Sequence, residues 1–466
     1  MAGLTKKLYN NAPYFIKYIL LNIKGYLNKK KRFNKDFKRF LKEHLVLWEA
    51  DLKTVETYQK EKLSLLLSEA FKYSEWYSSI MKQQGITLDA IESNPMEVLI
   101  KMPLLLKDDR KNKVDLIVNS SRETVMLNYT SGTSGTPMVD YLDLYSLNQS
   151  FAIWYRFHKV IGIKNNCKQV RLSGNLIVSP KTKKPPFWVY NSFNKQLLMS
   201  TYHLTDANLS SYIKKLNTFK PSLIDGYPSA IYILSRFIIK NKLVLNFKPD
   251  AIAVTAETLY DYQRDIIESA FNCKVFNQYA SSEGSPFITE CINGNLHLNT
   301  DSGVFEFLNM EGGPAKPGDI AKLVVTSFIN YKTPLIRYDI GDTILLASEN
   351  KKCNCECSMP IIEKIIGRED DILWSEEKGF VGRMDTAYKG LTGIKKSQLI
   401  QENPNQLIVN IVVDNDFSDD VQKTLIANLK DRLGENINYH VNIVEEIPTG
   451  SNGKIDAVKR NFEINI

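Results

Sequence analysis

The sequence Tyr129-Thr130-Ser131-Gly132-Thr133-Ser134-Gly135-Thr136-Pro137 follows a short apolar run at residues 125–129, which predicts a β-strand. Its glycines allow the backbone to turn tightly and to direct several N–H groups at one point, and the hydroxyl side chains add further donors. A loop of this kind suits an anion, in particular a polyphosphate. It is not a Walker loop, because no Gly-Lys-Ser/Thr sequence ends it. A Ser/Gly-rich hairpin turn is the alternative interpretation of the loop taken alone.

From residue 124 onward, short apolar runs alternate with windows of helical periodicity. Predicted strands lie at residues 125–129, 223–225, 251–254, 274–278 and 321–327, and predicted helices at residues 207–217, 228–241 and 258–271. Such alternation is typical of an α/β protein, in which helices cross over between strands of one sheet. Upstream, residues 1–90 predict helices, because apolar residues recur at spacings of three and four.

The last hundred residues predict a smaller unit. It has a strand at residues 406–414, a helix at 419–433 and a strand at 439–445, and it is preceded by the polar segment Gly367-Arg368-Glu369-Asp370-Asp371. We therefore predict an α/β fold with two domains. The large N-terminal domain, residues 1–367, has mixed sheets flanked by helices. The small α+β C-terminal domain, residues 368–466, carries the end of the chain.

Positive charge is concentrated at the N-terminus. The 466-residue chain has a formal net charge of +8, yet residues 1–42 hold twelve of its 60 Lys and Arg residues and one acidic residue, Asp36. The remainder is close to neutral, which argues against a nucleic-acid-binding protein. Residues 1–42 predict either a helix lying on anionic lipid or a helix packed on the main domain with a solvated basic face. No apolar run reaches the roughly 18 residues of a membrane span. We expect a cytoplasmic protein, peripheral at the inner membrane face under the first alternative.

The cysteine pattern points to a metal. Six cysteines are too few for a disulfide scaffold and fit a reducing compartment. Three of them crowd into Cys353-Asn354-Cys355-Glu356-Cys357, and structural Zn²⁺ requires four nitrogen or sulfur ligands. We predict a site whose ligands are Cys291, His297, Cys355 and Cys357. Cys353 is an alternative for either loop thiolate, and cysteines without a metal role are the alternative for the whole set.

Five further short motifs follow the loop in a fixed order. They are Thr255-Ala256-Glu257, Tyr279-Ala280-Ser281-Ser282-Glu283-Gly284, Arg337-Tyr338-Asp339-Ile340-Gly341-Asp342, Gly367-Arg368-Glu369-Asp370-Asp371 and Pro448-Thr449-Gly450-Ser451-Asn452-Gly453-Lys454-Ile455. Together with the loop they resemble the motif series of the adenylate-forming enzymes. Each motif is weak singly, whereas six in order over residues 129–455 are specific.

Within that superfamily the chain is most similar to the phenylacetate–CoA ligase-like branch and its CapK-type proteins of capsular polysaccharide loci. The similarity rests on the helical N-terminus and on two sequences, Met102-Pro103-Leu104-Leu105-Leu106-Lys107 and Asp225-Gly226-Tyr227-Pro228-Ser229. The stretch at residues 373–394 departs from the pattern of acyl–CoA ligases, which leaves the acyl acceptor open.

The resemblance implies a set of site residues. Nucleotide contacts are implied for residues 130–136, Glu257, Tyr279, Ser282, Asp342 and Arg368. Catalytic roles are implied for Lys454, Arg368 and Glu283, with Glu283 as the candidate Mg²⁺ ligand. Tyr279 would stack on the adenine, and Asp342 would accept hydrogen bonds from the ribose hydroxyls. Asp370 occupies the position of the hinge about which a C-terminal lid rotates after adenylation.

The predicted function is ATP-dependent activation of a small carboxylic acid as an acyl-adenylate. The resemblance implies ATP and Mg²⁺, transfer of the acyl group to CoA, a carrier thiol or a sugar amine, and a role in surface polysaccharide biosynthesis. The alternative is a catalytically inactive adenylation fold that acts as an assembly protein of such a pathway. No nucleic-acid partner is expected.

Overall fold

The computed structural model describes residues 12–462, apart from residues 131–137, 176, 180, 257–258, 260, 282, 310, 369–372, 382–383, 389–390, 392, 414–416 and 448–457. Within that range the predicted helical N-terminal region is confirmed. Its helices are α1 (Tyr14–Arg32), α2 (Lys35–Glu49), α3 (Leu52–Tyr73), α4 (Glu75–Gln83), α5 (Leu88–Ser93), α6 (Pro95–Lys101), α7 (Lys107–Asn112) and α8 (Val114–Ile117). Asn34, Asp51 and Ser74 precede α2, α3 and α4, and each side chain accepts a hydrogen bond from a backbone N–H three residues on. These bonds satisfy donors that the first helical turn leaves unpaired.

A hairpin and a long helix follow the N-terminal helices. Strands β1 (Met126–Thr130) and β2 (Met138–Leu142) pair antiparallel from Met126 opposite Leu142 to Thr130 opposite Met138. Helix α9 (Leu144–Val160) begins at Asp143, whose carboxylate accepts from the backbone N–H of Ser146.

One mixed sheet forms the centre of the protein. Its strands are β3 (Gln169–Ser173), β4 (Trp188–Asn191), β5 (Gln196–Ser200), β6 (Leu223–Gly226), β7 (Ala251–Thr255), β8 (Val275–Ala280), β9 (Phe287–Glu290), β10 (Leu296–Leu298), β11 (Gly303–Leu308), β12 (Ile320–Ser327), β13 (Tyr338–Leu346) and β14 (Ile361–Arg368). Their order across the sheet is β11-β12-β13-β14-β10-β9-β8-β7-β6-β3-β5-β4. The predicted α/β fold is confirmed.

The half of this sheet from β5 to β8 is parallel. Helices α10 (Asp206–Phe219), α11 (Pro228–Lys240) and α12 (Asp261–Phe271) lie between its strands in sequence, as parallel pairing requires. Alternate strand residues point to opposite faces. Ile224 and Ile252 therefore pack with the helices α10 to α12, whereas Leu223 and Ala251 pack with α9.

The other half of the sheet, from β8 to β11, is antiparallel. Its inner face packs on the N-terminal helices in the largest apolar core, in which Leu66 and Leu67 of α3 join Leu323 and Val325 of β12. The buried face of α3 follows the apolar spacing of three and four residues. The spacing predicts helices in the N-terminal region because these apolar residues are the ones that pack on the sheet.

The C-terminal residues form a second, smaller sheet with its own core. Its elements are β15 (Leu373–Ser375), β16 (Gly379–Val381), β17 (Ile394–Asn403), β18 (Gln406–Val413), α13 (Asp419–Leu433), β19 (Asn438–Ile443) and β20 (Val458–Arg460). The order of the four-stranded sheet is β19-β18-β17-β20, and Leu425 and Leu429 of α13 pack on Leu407 and Val409 of β18. The strand, helix and strand predicted here are confirmed. The division of the chain at residue 367 stays a prediction.

Among the helices of the described residues, none combines the length and apolarity that crossing a bilayer demands.

Candidate functional site

Much of the predicted nucleotide site lies outside the described residues. This holds for residues 131–136 of the loop, and for Glu257, Ser282, Asp370 and Lys454. Thr130 ends β1, opposite Met138 at the start of β2, so the two ends of the predicted phosphate loop are held side by side by the hairpin. The backbone of Arg368 is described at the end of β14.

Three of the predicted nucleotide contacts come from strands that the sheet brings together. The Tyr279 hydroxyl, on β8, donates a hydrogen bond to the carboxylate of Asp342, on β13. Asp342 lies opposite Arg368 in the pairing of β13 with β14. Tyr279 and Asp342 are 63 positions apart in the chain, so the sheet is what creates this contact. A half-buried carboxylate with one oxygen held by a tyrosine has a fixed orientation, as hydrogen bonding to a diol requires.

The Arg337–Asp342 motif is held in place by the segment that indicated the family branch. Leu105 and Tyr338 form a bridge, with Leu105 N–H donating to Arg337 O at 2.8 Å and Asp339 N–H donating to Leu105 O at 3.1 Å. The Arg337 guanidinium donates to both carboxylate oxygens of Glu306, at 2.9 and 2.7 Å, and to Met102 O at 2.6 Å. The Met102–Lys107 and Arg337–Asp342 motifs therefore form one structural unit. The hydrogen bonds of the Arg337 guanidinium hold the two motifs together.

Glu283 is buried within a cluster of charged groups. Its carboxylate lies 3.9 Å from Nη1 of Arg110, and Arg110 also donates to Asp140. The ring of Tyr338 lies 5.1 Å from the Arg110 guanidinium carbon. Burial raises the pKa of Asp140 to about 6, against the opposing effect of Arg110 and with a further rise from Glu283. Among the described residues of this cluster, two carboxylates meet one guanidinium, a ratio that would favour a bound cation.

Sequence reasoning missed Arg110 and Asp140. Arg110 lies in the short helix α7, three residues after the Met102–Lys107 motif, and has nothing local to distinguish it. Asp140 offered a weak signal, because an acidic residue in the middle of the apolar strand β2 needs a partner when it is buried.

The predicted metal ligands come together at the antiparallel end of the sheet. The ligand atoms of Cys291, His297, Cys353 and Cys355 all lie within 4.8 Å of one another. Cys291 Sγ is 3.6 Å from Cys353 Sγ, and Cys355 Sγ is 3.2 Å from His297 Nε2. His297 Nδ1 lies 2.9 Å from Met359 O, and donation to that carbonyl directs Nε2 toward the thiols. The four atoms form a compact N/S set of the kind that zinc requires.

This set differs in one member from the ligands predicted from the sequence, because it contains Cys353 in place of Cys357. Cys353 takes the fourth place, and Cys357, a buried thiol, interacts with His297 instead. Burial opposes ionisation of Cys353, but hydrogen bonds, first from the backbone of Cys355 and then from His297, lower the pKa of its thiol to about 6. A thiolate is the form that binds metal. None of the six cysteines forms a disulfide in the described residues.

Two buried polar residues lie on or beside the parallel strands β5 and β6. His203 is buried and stacks on Phe187 with ring centroids 4.7 Å apart, which is a core role. Asp225 is fully buried and accepts from Arg171 at 2.6 Å. Gly226 has φ of 154°, and a Cβ there would lie 2.0 Å from Leu172 O, so only glycine fits.

A second buried network lies away from the predicted site. Asp301 accepts from His44 at 2.6 Å and also from Arg156, and His44 Nε2 lies 2.6 Å from Gln149 Oε1. His44, Arg156 and Asp301 are each 0% exposed. The network ties α2 to α9 and to the short turn at Thr300–Ser302, and we assign it a structural role.

Solved structures with a similar fold were found. The fold is similar to that of 2-hydroxyisobutyryl-CoA ligase solved with R3-HIB-AMP, with a TM-score of 0.59 and 16% identity over 89% of this chain and 91% of that one. The chain is also 24% identical over 265 residues to indoleacetate–lysine synthetase of Pseudomonas savastanoi, covering 54% of this chain and 61% of that protein. Together with the motif order, these similarities define a member of the adenylate-forming ligase superfamily, and the resemblance to its phenylacetate–CoA ligase-like branch is confirmed.

A narrower match fixes the family. Residues 373–461 match the CapK C-terminal domain. Protein CapK of Staphylococcus aureus is 36% identical over 462 residues, which is 98% of either chain. The chain belongs to the CapK family.

Proposed function

We propose that this protein uses ATP to convert a carboxylic acid into an acyl-adenylate and then transfers the acyl group to an acceptor. The observation that most supports the proposal is the meeting of Tyr279, Asp342 and the backbone of Arg368. All three were expected to contact nucleotide from separate motifs, and they converge through strands far apart in sequence.

The nucleotide would bind across the ends of β8 and β13. Asp342 would accept hydrogen bonds from the ribose hydroxyls with its orientation held by Tyr279, whose ring would pack against the adenine. Residues 130–136 would direct N–H and hydroxyl donors at the phosphates, with Glu257 and Ser282 bordering the site. Arg368 would contact phosphate or ribose from the end of β14.

In the first step a carboxylate oxygen of the acid attacks the α-phosphorus of ATP. The bond from that phosphorus to the bridging oxygen breaks, and pyrophosphate leaves with both electrons of the bond. Lys454 would hold the carboxylate near the α-phosphate and offset the charge on the phosphate oxygens. The gain would come from positioning two anions that repel each other in water.

The cluster around Glu283 fits Mg²⁺. Carboxylate oxygens are its preferred protein ligands, and Asp140 Oδ2 is a buried carboxylate oxygen without a hydrogen-bond partner among the described residues. Glu283 would hold the ion, with Arg110 and Asp140 fixing its orientation. A bound Mg²⁺ would supply positive charge to the departing pyrophosphate.

In the second step an acceptor attacks the acyl carbon and AMP leaves. The relatives show two acceptor chemistries, because one is named as a CoA ligase and another as a synthetase that joins an acid to lysine. Either CoA, a carrier thiol or a sugar amine would serve here. A sugar acceptor and a role in surface polysaccharide biosynthesis are what the resemblance to CapK-type proteins of capsular polysaccharide loci implies. Rotation about Asp370 would withdraw Lys454 and admit the acceptor.

The thiol and imidazole cluster would bind one structural Zn²⁺. The ion would link the end of β9, strand β10 and the loop that precedes β14 through Cys291, His297, Cys353 and Cys355. Because β14 ends at Arg368, such a link would fix the strand that presents Arg368 to Asp342.

The experiment is a pyrophosphate-release screen of the full-length protein with ATP, Mg²⁺ and separate groups of acids: amino acids, aryl acids, short hydroxy acids and sugar acids. We expect release with one group. Lys454→Ala should abolish it, and the matched surface variant Lys423→Ala, which alters a lysine that is 78% exposed, should retain it. Absence of nucleotide binding by calorimetry, together with no release for any acid, would support the inactive assembly protein instead.

A further inference from the structure

Helix α1 is docked on the protein by its polar side. The Asn22 side chain donates to Tyr190 O at 3.0 Å and accepts from the backbone N–H and the hydroxyl of Ser192, at 2.8 and 2.6 Å. A Cβ on Gly25 would lie 2.6 Å from the Asn191 side chain, so the helix approaches the β4 strand closely. The residues buried along α1 are Lys17, Asn22 and Gly25, and of its apolar residues Leu21 packs on the core cluster of Ile177, Val178 and Val189. An ordinary amphipathic surface helix buries mainly apolar residues.

The opposite side of α1 is apolar and exposed. Phe15, Ile19, Ile23 and Leu27 recur every four residues and therefore share one face. Phe15 is 63% exposed, and Ile23 and Leu27 are each 53% exposed. Phe193, on the adjoining β4–β5 loop and 40% exposed, lies 5.3 Å from Tyr26 and extends the apolar surface. We call this surface the α1 face. Exposed apolar surface of this extent usually marks a binding site.

Charge selects the kind of partner. Helix α1 carries five lysines and Arg32 and contains no acidic residue, and four of these cations occupy its last turn. A second copy of the chain meeting the α1 face about a two-fold axis would set these like charges against each other. An anionic bilayer complements them, and it also accepts the apolar side chains.

We propose that α1 lies in the interface of an anionic lipid bilayer, with Phe15, Ile19, Ile23 and Leu27 inserted and the exposed lysines Lys24, Lys30 and Lys31 at the headgroups. The helix is about 28 Å long at 1.5 Å per residue, and its polar docking on Asn191 and Ser192 holds its axis along the protein surface. This placement uses both alternatives that the sequence left open, because the helix packs on the main domain and still presents a lipid-binding face.

The test is sedimentation of the full-length protein with vesicles of phosphatidylcholine alone and of phosphatidylcholine with phosphatidylglycerol. The apolar variant combines Phe15→Gln, Ile23→Gln and Leu27→Gln. Its matched control combines Ile100→Gln, Val244→Gln and Ile443→Gln, which alter exposed apolar residues elsewhere.

The wild type and the control should sediment with the anionic vesicles, and the apolar variant should bind about tenfold more weakly or not at all. Replacing Lys24, Lys30 and Lys31 by glutamine should weaken binding by a similar factor. Equal binding by the wild type and the apolar variant, or equal binding to neutral and anionic vesicles, would overturn the proposal.

Two further measurements distinguish the other occupants of the α1 face. A wild type that is dimeric by light scattering without vesicles, and becomes monomeric in the apolar variant, would assign the face to a second copy and refute lipid docking. A melting temperature that falls in the apolar variant but not in the control would show that the face packs within the chain, which would also refute it.

Discussion

Replacing Asp301 by asparagine should strongly destabilise the large domain. Asp301→Asn keeps the shape of the side chain but removes the charge that neutralises Arg156. Asp301, Arg156 and His44 are all 0% exposed, so water cannot replace the lost partner. A net contribution of about 1.5–3 kcal/mol for each of two hydrogen bonds to a charged group gives about 3–6 kcal/mol. The cost of removing one member of a buried ion pair, about 3–5 kcal/mol, agrees with that figure.

The assay is urea unfolding followed by tryptophan fluorescence, because the Trp48 ring lies 5.0 Å from the Arg156 guanidinium and reports on the network. The control is Asp36→Asn, which breaks an ion pair whose members are 53% and 66% exposed. We expect that control to cost less than about 0.5 kcal/mol. Equal unfolding midpoints for the two variants would refute the structural role assigned to Asp301.

The same variant has a predicted pH dependence. Burial acts to raise the pKa of Asp301, but Arg156 and then His44 outweigh it, so the pKa is lower in the folded protein than in the unfolded chain. The stability that this carboxylate contributes is therefore fully present above the unfolded value of about 3.9 and is lost as the pH falls through the folded value. The difference in unfolding free energy between the wild type and Asp301→Asn should shrink over that acidic range, and a difference that stays constant would contradict the reasoning.

Three further predictions concern the candidate site. In metal analysis of protein purified without chelator, Cys353→Ser should lower bound zinc below about half an equivalent, whereas Cys357→Ser should retain zinc. The reverse result would support Cys357 as the fourth ligand, as the sequence predicted. Arg110→Lys keeps the positive charge, but a lysine cannot hold two carboxylates at once. The Mg²⁺ concentration for half-maximal ATP–pyrophosphate exchange should therefore rise about tenfold. An unchanged concentration would show that Arg110 does not orient Glu283 for Mg²⁺ binding. Tyr279→Phe removes the donor to Asp342 and should raise KM for ATP about tenfold with little change in kcat, and unaltered ATP kinetics would count against the ribose contact.

The sequence predicts those parts of the fold that depend on local pattern. The apolar spacing of α3 and the apolar runs of β6 and β7 correspond to continuous buried surfaces, so their elements are confirmed within a few residues. The predicted helix at residues 258–271 is described from Asp261.

Contacts between distant residues were beyond reach of such patterns. His44 and Asp301 are 257 positions apart, and neither lies in a motif. Arg110 of α7 meets Glu283, which follows β8, only in the folded chain. The orientation of α1 was equally hidden, because the sequence left open whether its apolar residues pack on the main domain or face lipid. In the structure, Asn22 hydrogen-bonds to β4 and Gly25 allows a close approach to that strand, so α1 docks by the side that carries these two residues.

The central claim is that this CapK-family protein forms an acyl-adenylate. The most direct measurement is acid-dependent exchange of labelled pyrophosphate into ATP, with the acid taken from the release screen and with Lys454→Ala and Lys423→Ala in parallel. Exchange should require the acid and Mg²⁺, disappear in Lys454→Ala and persist in Lys423→Ala. Exchange that survives in a folded Lys454→Ala variant would contradict the assignment of the catalytic lysine, and absence of exchange with every acid would contradict acyl-adenylate formation itself.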